Sequence, residues 1–145
     1  MNHDHYDDGY IRGILNTVKT VAMVGISANT SRPSYFVFKY LLERGYRMIP
    51  VNPGLAGQDL LGQKVYARLA DIPEPVDMVD IFRASEFVPD VVDDVIRLGI
   101  PYLWLQDGVI HEEAVARARA AGVKCIQNDC IFREHAARPE LHSRD

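Results

Sequence analysis

A polar loop after the first strongly apolar segment contains the residues best suited to bind an anion. It reads Gly25-Ile26-Ser27-Ala28-Asn29-Thr30-Ser31-Arg32-Pro33-Ser34. Hydroxyl groups, a guanidinium and the backbone N–H groups at a helix start all donate hydrogen bonds to anionic oxygens. The loop is therefore a candidate pyrophosphate site. Only the first glycine of the G-x-G-x-x-G pattern of dinucleotide-binding domains is present, so an ordinary polar connection is the alternative.

A second candidate position is the neutral turn Val51-Asn52-Pro53-Gly54, which follows another apolar segment. Nucleotide-binding α/β domains that bind NAD generally have Asp or Glu at this point, and its carboxylate accepts a hydrogen bond from the ribose 2′-hydroxyl. The turn also has no arginine that could take a 2′-phosphate. It therefore disfavours NAD and NADP, and it is compatible with a ligand that is phosphorylated elsewhere on its ribose.

Both positions lie at the ends of predicted strands. Short apolar segments predict strands at residues 21–26, 46–52, 76–82, 102–105 and 123–127. Helical spacing predicts four helices: an N-terminal one at about 8–18, one from Pro33 to Gly45, one from Val88 to Gly99, and one at about 111–121. This alternation predicts a doubly wound α/β fold, a parallel sheet with helices on both faces. Residues 76–82 alternate apolar and acidic types, so we expect that strand near an edge.

Composition excludes several classes of protein. The 145 residues carry a formal charge of -4, which disfavours nucleic acid as a partner. No apolar run approaches the ~20 residues of a membrane span, and the acidic N-terminus is unlike a secretory signal. Two cysteines make neither a disulfide framework nor a metal site. We expect a cytoplasmic, single-domain protein over residues 1–145, with flexible tails at 1–7 and 137–145 and no metal.

Several segments, in order, resemble those of a known family. They are Val24-Gly25-Ile26-Ser27, Arg32-Pro33-Ser34-Tyr35, Pro50-Val51-Asn52-Pro53, Leu61-Gly62, Val79-Asp80-Ile81-Phe82-Arg83, Trp104-Leu105-Gln106-Asp107-Gly108-Val109, and Asp129-Cys130 to Glu134-His135. Together they resemble the small stand-alone CoA-binding proteins over about residues 10–135. Those proteins are in turn similar to the N-terminal CoA-binding domain of the succinyl-CoA synthetase alpha subunit.

The resemblance implies a role for each matching segment. The 25–34 loop would surround the phosphates of coenzyme A, and the Asn-Pro turn would lie beside the adenosine. The end of the third strand would close over the ligand, and residues 105–109 would contribute backbone groups near the pantetheine. The implied site residues are Gly25, Ile26, Ser27, Asn29, Ser31, Arg32, Ser34, Asn52, Pro53, Phe82, Arg83, Leu105, Gln106, Asp107, Gly108 and Val109.

Other reactive residue types have simpler structural interpretations. Asp107 precedes a glycine in a predicted strand-to-helix turn, where a carboxylate more often caps the backbone than acts as a general base. Cys130 could form a mixed disulfide with coenzyme A, but a small buried side chain is the favoured interpretation. Asp90, Asp93 and Asp94 are interpreted as a solvated helix face. We predict no catalytic residue.

We therefore expect a protein that binds coenzyme A or an acyl-CoA and acts as a non-catalytic binding, sensing or regulatory protein. The synthetases that it resembles pass a phosphoryl group through a histidine of a second domain, for which 145 residues leave no room. A homo-oligomer or a protein partner is compatible with this role. The alternatives are an NAD(P)-dependent oxidoreductase or another nucleotide-binding module on the same fold, and an interaction module that binds no ligand in its cleft.

Overall fold

A five-stranded parallel sheet forms the centre of the fold in a computed structural model that describes residues 6–141. In chain order the strands are β1 (Thr20–Val24), β2 (Arg47–Val51), β3 (Asp59–Leu60), β4 (Gln63–Lys64), β5 (Met78–Ile81), β6 (Tyr102–Leu105) and β7 (Lys124–Ile126). The sheet order is β2-β1-β5-β6-β7, and β3 and β4 form a separate antiparallel hairpin. The predicted doubly wound α/β fold is confirmed.

Helices cover both faces of this sheet. They are α1 (Asp8–Thr17), α2 (Pro33–Glu43), α3 (Val88–Leu98), α4 (Glu112–Ala120) and α5 (Ile131–Ala136). Alternate residues of β1 point to opposite faces, so Met23 packs in the cluster that includes Phe38 of α2, whereas Ala22 packs in the one that includes Val92 of α3. None of the helices within 6–141 is long and apolar enough to cross a membrane.

The prediction that the third main strand lies near an edge was wrong. The strand is β5, which pairs with β1 on one side and β6 on the other. Asp80, the acidic residue that suggested an exposed face, has a fully buried side chain and lies between Met23 and Trp104 of the neighbouring strands. Burial raises the pKa of Asp80 well above its usual range, which favours the neutral acid.

The structure also corrects the predicted tails where it describes them. Tyr6 is buried, and its hydroxyl accepts a hydrogen bond of 2.8 Å from the Gln127 N–H. Arg138 is buried and pairs with Asp8 and Glu134 at 2.7 and 3.0 Å. Residues 6–7 and 137–141 thus pack on the domain, while residues 1–5 and 142–145 of the predicted tails lie outside the described residues.

Sheet order fixes where a ligand can bind. The chain runs from β1 outward to β2, then returns to place β5 on the other side of β1. This reversal opens a crevice at the carboxyl ends of β1 and β5, which is where ligands bind in open α/β sheets. We call the side of the sheet formed by these strand ends the carboxyl edge.

Candidate functional site

Gly25 directly follows β1 and brings the chain into close contact with the end of β5. Its φ of +89° is left-handed, and its N–H donates to the Val51 carbonyl at 3.0 Å. A Cβ at this position would lie 2.5 Å from Arg83 Cγ and 3.0 Å from the Phe82 carbonyl oxygen. Only glycine fits here, so Gly25 sets the path of the loop that follows.

Hydrogen bonds within the 25–34 loop hold its polar side chains in place. The Ser27 N–H donates to Ser34 Oγ, the Asn29 N–H donates to Ser27 Oγ, and the Ser31 N–H donates to Asn29 Oδ1, each at 3.0 Å. In the first two of these bonds the serine hydroxyl oxygen is the acceptor. The hydroxyl hydrogens of Ser27 and Ser34 can therefore be donated to a ligand. The loop is an ordered turn at the start of α2.

Two arginines provide positive charge beside this loop. Arg32 is exposed at the start of α2, where no side chain caps the helix. The guanidinium of Arg83, at the end of β5, stacks on the Phe87 ring at 3.8 Å from its centre. Within residues 6–141, neither arginine pairs with a carboxylate. Both charges are therefore available to an anion.

Asn52 connects the end of β2 to the loop. Its Nδ2 donates to the Ile26 carbonyl at 2.8 Å, and its Oδ1 accepts from the Gly54 N–H at 2.8 Å. The side chain thus ties the two predicted site segments together, which the sequence could not show. Ile26 itself is fully buried, so it can offer a ligand only backbone atoms.

Clefts lie on both sides of the loop and share Gly25 and Ser27. One, of about 320 Å³, also contains Arg32, Ser34 and Phe82. The other, of about 370 Å³, contains Ile26, Asn29 and Asn52. The structure therefore brings the predicted residues of β1, β2, β5 and α2 together at the carboxyl edge. Ser31 lies in the same loop, where its hydroxyl donates to Asn29 Oδ1 at 2.7 Å.

Sequence reasoning missed a third cavity, of about 160 Å³, which Pro53 and Arg83 help to line. Its lining includes Arg68, Leu69, Phe87 and Asp90, none of which was predicted to be a site residue. These residues come from the segment after β4 and from the start of α3. Asp90 is exposed, as predicted for a solvated helix face, and no local sequence pattern signals that it also lines a cavity.

The predicted site residues at the end of β6 are engaged within the protein. Gln106 is buried, and its Oε1 accepts from the Ile131 N–H at 3.1 Å. Asp107 makes two hydrogen bonds of 3.0 Å to Arg133, which hold its pKa below the usual range. The Gly108 N–H donates to Asn128 Oδ1 at 2.8 Å. The Asp107 carboxylate therefore binds the Arg133 side chain, 26 residues away, and this pairing differs from the predicted local backbone cap.

This turn is separate from the clefts described above. Leu105 and Val109 are buried, and none of residues 105–109 lines any of the three cavities. β5 lies between β6 and β1, which separates the turn from the loop by two strand spacings of about 5 Å each. Nearby, burial and the Glu134 carboxylate raise the pKa of Asp129 to about 7.

No group of three or more His, Cys, Asp and Glu side chains suited to a metal ion occurs between residues 6 and 141. Cys130 is half-buried and precedes α5, while Cys125 is fully buried. Burial raises the pKa of the Cys125 thiol to about 11, which keeps it protonated at neutral pH. The polar side chains of the cleft that contains Arg32 are two hydroxyls and a guanidinium, which are suited to binding phosphate.

Comparisons with known proteins agree with this chemistry. The model of a family described as the CoA binding domain matches residues 19–136. YneT, an uncharacterized protein of Bacillus subtilis, is 36% identical over 126 residues, which span 87% of this chain and 92% of that protein. The solved structure of a hypothetical protein from Pyrococcus horikoshii has a TM-score of 0.88 at 36% identity, covering 94% of this chain and 95% of that one.

Larger enzymes are also similar to this chain. The alpha subunit of ADP-forming acetate–CoA ligase I from Pyrococcus furiosus is 30% identical over an alignment of 122 residues, and the match covers 74% of this chain. The match spans only 26% of that subunit. The similarity therefore concerns one part of the ligase subunit.

Proposed function

Because the chain belongs to the CoA-binding domain family, we propose that it binds coenzyme A or an acyl-CoA at the carboxyl edge of its sheet. The observation that carries this proposal is Arg32, whose exposed guanidinium stands at the start of α2 beside the Ser27 and Ser34 hydroxyls in one cleft. A cation, two hydroxyl donors and a helix N-terminus are together complementary to a pyrophosphate.

The pyrophosphate of coenzyme A would bind in the cleft that contains Arg32. Ser27 and Ser34 would donate their hydroxyl hydrogens, and Arg32 would supply a full positive charge. Asn29 and Ser31 would support the turn, since their side chains are already hydrogen-bonded to the loop.

The adenosine would lie toward the third cavity, beside Pro53 and Arg83. Apolar side chains of the β1 and β2 ends, Val24 and Val51, line this cavity and suit the faces of a base. Phe82 and Arg83 would close over the ligand from β5. The pantetheine would extend toward residues 105–109, where contact would involve backbone atoms because the side chains are buried or engaged.

The same site is poorly suited to a nicotinamide dinucleotide. Asn52 stands where an acidic residue would hold the ribose 2′-hydroxyl, and both polar atoms of its side chain are hydrogen-bonded within the protein. We therefore favour coenzyme A over NAD and NADP. The role that follows is binding, carrying or sensing of coenzyme A, without a catalytic site of its own.

Isothermal titration with coenzyme A, 3′-dephospho-CoA, NAD and NADP tests the proposal. Coenzyme A should bind most tightly. Arg32→Gln should weaken its binding about 10-fold or more, because a charge-assisted hydrogen bond is lost.

Arg44→Gln is the matched control. It removes the same charge from the other end of α2, about 18 Å away along the helix, and should leave the affinity unchanged. Binding of NAD but not coenzyme A would refute the proposed ligand. Equal affinities of the two variants would refute the role of Arg32.

A further inference from the structure

The third cavity of the carboxyl edge has a charge pattern that the proposed function does not use. Two carboxylates, Asp90 and Asp94, line it from α3 and lie four residues apart, so they project from the same side of the helix. The inference drawn from this charge pattern rests on the proposed binding of coenzyme A and states which part of the ligand the cavity recognises.

Carboxylates in a cavity repel phosphate and accept hydrogen bonds from N–H groups. The phosphates of a bound coenzyme A would therefore stay on the Arg32 side of the loop, where the loop supplies donors. Of the two arginines in the cavity, Arg68 is paired with Asp71 at 3.2 Å and is mostly exposed. The two carboxylates offset the charge of Arg68 and Arg83, so the cavity attracts a phosphate less than the Arg32 cleft does, and it can accept a hydrogen bond from an uncharged part of the ligand.

The size and walls of the cavity favour a flat ring. Its volume of about 160 Å³ is well below the ~300 Å³ or more of pockets that enclose a drug-sized ligand. Phe87 and the guanidinium of Arg83 form a stacked pair at 3.8 Å, and both line the cavity. Planar groups stack well on guanidinium and aromatic faces. An adenine base combines a flat shape with an exocyclic amino donor.

We infer that Asp90 determines base specificity, its carboxylate accepting a hydrogen bond from the exocyclic amino group of the adenine of coenzyme A. Asp94 is less suited to this role because Arg97 donates to it at 2.6 Å. Asp90 has no ion pair or side-chain hydrogen bond within residues 6–141. A carboxylate can only accept, so it favours an amino group at this position of the purine and repels a keto oxygen.

The test compares coenzyme A with its analogue in which hypoxanthine replaces adenine, using isothermal titration. The two ligands differ at the amino position and share all phosphates and the pantetheine. The wild-type protein should bind coenzyme A about 10-fold or more tightly than the analogue, the effect of one hydrogen bond to a charged group. In Asp90→Asn the ratio should fall to about one or below, because an amide can also donate to the keto oxygen.

Asp93→Asn provides the matched control, since it removes the same charge from α3. Asp93 pairs with Arg117 and does not line the cavity, so this variant should keep the wild-type ratio. Because each ratio compares two ligands on one variant, a general loss of stability cancels.

Each contrary result has a distinct meaning. Equal binding of the two ligands by the wild type would refute the inference while leaving the proposed function intact. A wild-type ratio in Asp90→Asn, or a lost ratio in Asp93→Asn, would also refute the inference. If the wild type bound neither ligand, the proposed function would fail and the inference with it.

Discussion

Substitution of Gly25 by alanine should destabilise the protein by a sum of two separable effects. The first is backbone strain, because alanine at a φ of +89° costs about 1–2 kcal/mol. The second is steric. The new Cβ would meet the backbone carbonyl of Phe82 at 3.0 Å and Arg83 Cγ at 2.5 Å. The arginine can swing away, but the carbonyl belongs to the end of β5, so overpacking adds about 1–3 kcal/mol.

Gly57→Ala isolates the strain. Gly57 has a φ of +86°, and a Cβ there would have no atom within 4 Å. Urea unfolding should show a loss of about 1 kcal/mol for Gly57→Ala, since alanine also restricts the unfolded chain. It should show about 2–4 kcal/mol for Gly25→Ala. If the two variants lose the same stability, the close approach of the loop to β5 does not exist as described.

Three further substitutions test the fold and the site. Asp80→Asn should stabilise the protein relative to wild type. The folded-state pKa of Asp80 is raised, so the free energy of unfolding of the wild type falls as the pH rises above the unfolded-state pKa. In urea unfolding, the stability difference between Asp80→Asn and the wild type should therefore grow by up to about 1.4 kcal/mol per pH unit. Tyr6→Phe should cost about 1–2 kcal/mol in the same assay, because the buried Gln127 N–H loses its acceptor; a flexible N-terminus would show no loss. Asn52→Ala breaks the 2.8 Å hydrogen bond that joins the end of β2 to the loop at Ile26, and a second one of 2.8 Å to the Gly54 N–H within the turn after β2. It should weaken coenzyme A binding by about 10-fold in isothermal titration, and an unchanged dissociation constant would mean that the loop holds its shape without Asn52.

Local patterns predicted most of the regular elements because each pattern reflects burial along one element. Apolar runs, and alternation at residues 76–82, predicted the five main strands, and the helical stripe at residues 88–96 predicted α3. The same reasoning placed β5 near an edge because Asp80 looked solvent-exposed. Its burial depends on its neighbours Met23 and Trp104, which lie far away in the sequence.

Short elements and long-range contacts escaped prediction. β3 and β4 have two residues each and α5 has six, too few for a periodic pattern to emerge. The candidate site could be predicted where its residues lie on one continuous loop, residues 25–34. Arg68, Phe87 and Asp90 come together in a cavity only after the sheet forms, and no spacing along the chain reveals that. Gln106 and Asp107 were predicted to offer backbone groups to a ligand, which stays a prediction; that their side chains bind Ile131 and Arg133 could not be predicted from local spacing.

A titration of isotope-labelled protein with coenzyme A, followed through the backbone amide signals by NMR, tests the central claim most directly. It reports binding and its location together. Saturable shifts are expected in residues 25–34, 52–54 and 82–83, except at Pro33 and Pro53, which have no amide hydrogen. Absence of any shift would contradict the claim, and so would shifts confined to the amino end of the sheet, where Tyr10, Tyr102 and Lys124 line a separate cavity of about 300 Å³.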